Sequence, residues 1–153
     1  MAPAALSFLE TTRIIEAGMV AKKAERRFAD LVVDAKPLYR VVRAEGFDYI
    51  SAIWLDDPDI ARLAVRRLLG DQPPDAPGGR VAMYVCPECG DLGCGAVTAQ
   101  VNRTEDNVEW SAWGLQNNYE ERVTPVENLP AVTFRRDEYE RALRALLAEL
   151  PAP

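Results

Sequence analysis

Histidine is missing from this sequence altogether. Its absence excludes Ser-His-Asp and Cys-His nucleophile pairs, a histidine general base, and every metal centre that needs an imidazole ligand. Cysteine is scarce: there are three, Cys86, Cys89 and Cys94, all inside the stretch VCPECGDLGCGAV. The odd count leaves one thiol over in any intramolecular disulfide scheme. No apolar run is long enough to read as a bilayer-spanning helix. The opening residues, MAPAALSFLETTRII, carry no basic stretch ahead of their short apolar run, which Glu10 interrupts, and this argues against a secretory signal. The expectation is a cytoplasmic chain with reduced thiols, where clustered cysteines favour metal binding or redox chemistry over a structural disulfide. Positive charge is in deficit, 18 Lys and Arg against 24 Asp and Glu, for a net charge of −6. Such a surface repels phosphates and argues against nucleic-acid binding, while it suits a basic protein partner.

What is present reads as a globular α+β chain. At 153 residues, with 48% apolar and 27% charged residues, it is long and apolar enough for one complete core. Leu6, Leu9, Ile14, Ala17 and Ala21 fit a helical stripe over 4–25, which predicts a helical extension at 1–26 that packs either on the domain or, as a homo-oligomer contact, on a second copy of the chain. RFADLVVD (27–34) predicts a strand, and Pro37 opens a helix over 36–45 with Leu38, Val41 and Val42 as its core face. FDYISAIWL (47–55) is ambiguous, its aromatics and β-branched residues leaning towards a strand. Asp57, Pro58 and Gly70 bracket a helix over 57–69, and a Pro/Gly-rich connector follows at 71–79.

Beyond the connector the apolar period changes to two. RVAMYVC, GAVTAQVN and VEWSAWG alternate, which predicts an antiparallel β-meander over residues 80–134 with the cysteine loop joining its first two strands. A short strand AVTF (131–134) precedes a last helix at 136–149, whose Tyr139, Leu143, Leu146 and Leu147 keep helical spacing. The predicted architecture is one α+β domain, 27–153, with its sheet covered by the three helices.

Cys86-Pro-Glu-Cys89-Gly has the form of a zinc knuckle, and Cys94 at the start of the return strand can swing its sulfur to the same point. A closed zinc site needs a fourth donor, for which Asp91, Glu88, water or a partner's group are the candidates. The same residues admit a redox reading, a C-P-x-C pair with Cys94 as resolving thiol, although the glycine-rich sequence that follows offers no helix N-terminus to lower a thiol pKa. They also admit a tight glycine-shaped turn with three small buried thiols.

The run RVAMYVCPECGDLGCGAVTAQV, with VEWSAWG, NNY and FRRDEYERAL after it and ADLVVDAKPLY before it, resembles a family of small bacterial proteins of uncharacterised function. Their pattern is C-P-x-C-G-D-L-G-C-G-A-[IV]-T, then an aromatic-rich strand, then F-x-x-x-x-Y. The likeness spans about 27–147. It implies a shared architecture and covers all three cysteines; some members carry an oxidoreductase label, and no fourth ligand is implied.

Trp113, Tyr119, Glu120 and Glu121 suggest aromatic anchors with an acidic rim, a surface for a basic protein. Trp110 reads as core together with Val108 and Ala112, and the basic run AKKAERR (21–27) as a solvated helix end. The functional expectation is a non-catalytic binding protein of immunity or regulator type, with zinc held by Cys86, Cys89 and Cys94. The alternative is a thiol–disulfide oxidoreductase or a three-cysteine zinc enzyme built on the same residues.

Overall fold

The computed structural model describes residues 2–15, 25–90, 92–120 and 122–152. Strand β1 (Leu6–Thr12) pairs antiparallel with β2 (Arg27–Val33) along its whole length, Leu6 opposite Val33 and Thr12 opposite Arg27. A turn at Asp34–Ala35 leads into β3 (Lys36–Pro37), which completes a three-stranded sheet. The helix expected over 4–25 is therefore corrected to a strand at Leu6–Thr12. Leu6 and Phe8 alternate with the exposed Ser7 and Leu9, and the β-branched Thr11 and Thr12 suit a pleated edge. Leu6, Leu9 and Ile14 satisfy a helical stripe as well, but β2 supplies hydrogen-bond partners that an isolated helix could not match. Ala17 and Ala21, the rest of that stripe, lie outside the described residues.

Helix α1 (Leu38–Ala44) begins after Pro37, which is the cap residue with extended backbone and offers no side-chain cap. The carboxylate of Asp30 on β2 supplies one, accepting the Tyr39 N–H at 3.3 Å. Strand β4 is short (Ile50–Ser51), so most of 47–55 is irregular. Helix α2 (Pro58–Leu69) follows its local code: Asp57 accepts from the Ile60 N–H at 3.3 Å, Pro58 takes the first turn, and Gly70 ends the helix with φ of 86°.

The larger sheet runs in the order β4, β5 (Val81–Val85), β6 (Ala96–Arg103), β7 (Asn107–Gln116), β8 (Thr124–Pro125), all antiparallel, which is the predicted meander. Strand β9 (Val132–Arg135) pairs with the first half of β7, and α3 (Arg136–Glu149) follows it directly. Backbone bonds close the path. Ala29 N–H donates to Ile53 O and Leu55 N–H to Arg27 O, both at 2.9 Å, while Ala4 N–H donates to Thr133 O at 2.8 Å. These join β2 to the segment after β4, and the chain before β1 to β9. Phe28, Tyr84, Trp110, Phe134, Tyr139 and Leu143 fill the core.

Trp113 belongs to that core, which corrects its expected place on a partner surface: it is 4% exposed, and its indole N–H donates to Pro130 O at 3.1 Å. In a regular strand Trp110 and Trp113 face opposite ways. Here Thr98 pairs with Gly114 while Gln100 pairs with Ser111, so β7 carries one extra residue, and Ala112 sits at φ of 52°. The bulge reverses the alternation and brings the two indoles edge to face, 6.0 Å apart. Buried Arg80 fills the bulge. Its guanidinium donates to Thr98 Oγ1 at 3.0 Å, to Gln116 Oε1 at 3.1 Å and to the Ala112 carbonyl.

Candidate metal centre

Strand β5 ends at Val85, and the chain then turns back on itself. The Gly90 N–H donates to Cys86 O at 2.8 Å, which closes the Cys86–Cys89 turn. A short 3₁₀ turn, Leu92–Cys94, buries Leu92, and the Gly95 N–H donates to Leu92 O at 3.1 Å before β6 begins. These two tight turns bring the three cysteines together. Their sulfurs all lie within 4.8 Å of one another, with Cys86 half-buried and Cys89 and Cys94 exposed. Cys89 and Cys94 stand at disulfide separation, with Cα atoms 7.0 Å apart, and Cys86 is the third thiol. Sulfurs bound at ~2.3 Å to one tetrahedral ion stand about 3.8 Å apart, so the trio can meet on a single ion once Cys89 and Cys94 are both reduced and their sulfurs move apart.

Of the proposed fourth donors, Glu88 has its carboxylate on Arg13, with Arg13 Nη1 to Glu88 Oε1 at 2.7 Å, and Asp91 lies outside the described residues. Among the described residues the cysteines are the one group of clustered Cys, Asp and Glu side chains whose geometry can hold an ion. Thiolates are soft donors that select zinc, copper(I) or iron–sulfur chemistry over magnesium and calcium.

The loop is anchored from several sides. Tyr49 OH donates to Cys94 O at 3.2 Å, and the Tyr49 ring stacks on Phe47 at 5.5 Å. Burial, and then the coulombic influence of nearby Cys86, push the Tyr49 hydroxyl above its ordinary pKa, so it stays a donor. Gly90 adopts φ of +70° with the Trp54 ring pressed against it: a Cβ there would stand 2.9 Å from the nearest ring carbon. Gly90→Ala therefore combines a left-handed backbone with a steric clash. It is expected to cost about 1–2 kcal/mol and to loosen the turn that sets Cys86 against Cys89, measured by urea unfolding beside zinc affinity.

Cys94 also lines an open cleft of about 510 Å³, with Tyr49, Gln116, Asn117, Glu120, Arg122 and Thr124 among the other walls. Asn117 shapes its rim, its side-chain oxygen accepting the Tyr119 N–H at 2.9 Å and the Glu120 N–H at 3.1 Å. Of the expected partner residues, Glu120 thus lines the same cleft as Cys94 and Tyr119 is 78% exposed, whereas Trp113 is in the core and Glu121 lies outside the described residues. Sequence reasoning passed over Arg13, Asp30 and Arg80, three buried ionisable groups. The one local signal was for Asp30, a carboxylate inside the apolar run FADLVV.

No protein-family model matches the chain, and no curated protein or solved structure does so either. Among the described residues no helix is long and apolar enough to cross a membrane.

Proposed function

We propose that Cys86, Cys89 and Cys94 hold one metal ion, zinc, which braces the glycine-rich mouth of the β5–β6 hairpin in a non-catalytic binding protein. The observation that carries this reading is three sulfur donors within 4.8 Å of one another on one short loop. Water or an incoming donor completes the shell from the cleft side. The partner on this reading is a basic protein, supported by the net charge of −6, by exposed Tyr119 and by Glu120 at the cleft.

The contact between Cys89 and Cys94 favours a second reading, thiol–disulfide exchange. The Cys86 thiolate would attack one sulfur of a Cys89–Cys94 bridge and release the other as a thiolate. Elemental analysis of chain purified without chelator, with a thiol count after denaturation without reductant, separates the two. The metal reading predicts one zinc per chain and three reactive thiols. No metal and a single reactive thiol would overturn it in favour of exchange.

A further inference from the structure

The loop between the first two cysteines is held from outside by two arginines of the β1–β2 hairpin. Arg13, just past the end of β1, is 4% exposed. Its Nη1 donates to Glu88 Oε1 at 2.7 Å, across 75 residues of sequence, and its Nη2 to Asp48 Oδ2 at 2.9 Å. Both ends of this fork reach the site: Glu88 lies between Cys86 and Cys89, and Asp48 precedes Tyr49, which holds the Cys94 carbonyl. Arg26, just before β2, donates from Nε to Pro87 O at 2.9 Å, and its guanidinium lies 4.8 Å from the centre of the Trp54 ring that presses on Gly90. The Arg13 N–H donates to Arg26 O at 2.8 Å, so the two clamps are tied to each other. Of the end of the basic run, Arg26 is thus engaged within the fold, while Arg27 is exposed and pairs at the surface with Glu10 and Asp56.

We propose that Arg13 and Arg26 are positioning residues of the metal centre: they preset the Pro87–Glu88 segment so that the three sulfurs converge, and metal loading in turn tightens the Arg13–Arg26 end of the β1–β2 hairpin. This rests on the metal reading above. Three thiolates on a divalent ion sum to a charge of −1, and the Glu88 and Asp48 carboxylates add two negative charges beside it, which the Arg13 and Arg26 guanidinium groups offset. A buried guanidinium whose carboxylate partners drift away is costly, so a loop that opens without metal destabilises the Arg13 contacts. Outer-shell groups of this kind tune metal affinity by about 10–100-fold, and thermodynamic linkage requires the effect to run both ways.

The test is a zinc competition titration with a chromophoric chelator on the full chain and on Arg13→Ala, Arg13→Lys and Arg26→Ala, with hydrogen exchange followed at the Arg13 amide. Each alanine variant is expected to bind one zinc with about 10–100-fold weaker affinity, and Arg13→Lys to recover part of the loss. Stripping zinc from the unsubstituted chain is expected to speed exchange at the Arg13 amide while the Val97 and Ala99 amides of β6 stay protected. Should Arg13→Ala not fold, Glu88→Gln removes the same ion pair from its exposed side and carries the test. Unchanged zinc affinity in these variants, with one zinc still bound, would overturn the clamp and leave the metal reading standing. Failure of the unsubstituted chain to bind zinc would overturn the metal reading itself.

Discussion

Cys86→Ser, Cys89→Ser and Cys94→Ser are each expected to weaken zinc binding by roughly a hundredfold and to lower the thermal midpoint of the zinc-loaded chain. Structural zinc sites contribute about 10–16 kcal/mol of apparent binding free energy, shared among their ligands, so losing one thiolate costs about 3 kcal/mol or more. The effect is large here because two of the three ligands contribute little packing of their own. Cys89 and Cys94 are exposed, and among 90–95 only Leu92 is a sizeable apolar anchor. Binding needs deprotonated sulfurs, so affinity falls as the pH is lowered and rises with pH until the bound thiols are fully ionised. Equal losses at all three positions, measured by chelator competition and scanning calorimetry, are the signature of shared ligation. If Cys86→Ser alone were silent, the trio would reduce to the Cys89–Cys94 pair.

The second large effect belongs to Asp30, and it concerns stability rather than metal. The carboxyl group is 1% exposed on β2 and accepts the Tyr84 hydroxyl at 2.6 Å and the Tyr39 N–H at 3.3 Å. No cation faces it at ion-pair distance among the described residues. Burial, partly offset by these hydrogen bonds, raises its pKa from 3.8 to about 6. Because the folded chain holds this proton more tightly than the unfolded one, the contribution to stability is fully present below about pH 4. It is lost as the pH rises through about 6. With each tenfold gain in proton affinity worth about 1.4 kcal/mol, the ionised carboxylate costs the fold about 3 kcal/mol at neutral pH. Asp30→Asn mimics the protonated acid. Its unfolding free energy relative to the unsubstituted chain is expected to rise by about 3 kcal/mol between about pH 4 and pH 7. Parallel stability curves across that window would show that Asp30 does not titrate there.

The elements that the sequence disclosed carry their instructions locally. Asp57, Pro58 and Gly70 mark both ends of α2, and Tyr139 and Leu143 mark the buried side of α3. The meander was visible in the alternation of VAMYV and AVTAQV, and the cysteine convergence in the short, glycine-rich spacing between Cys86 and Cys94. What escaped depends on partners distant in the chain. Leu6–Thr12 is a strand because β2 lies alongside it, and its own residues suit a helical stripe nearly as well. Trp113 is buried because of a bulge whose position is set by the register of β6 against β7. Arg13 meets Glu88 only after the whole fold has closed. Polar groups buried by such long-range packing leave little trace in a local pattern.

Cobalt(II) titration of the fully reduced chain, followed in the near ultraviolet, interrogates the sulfurs directly. Three-thiolate ligation predicts an intense sulfur-to-cobalt charge-transfer band that saturates at one equivalent, weakens in steps as cysteines are removed, and is displaced by zinc. A spectrum no different from that of cobalt in buffer, with the thiols shown to be reduced, would mean that these three side chains do not share an ion.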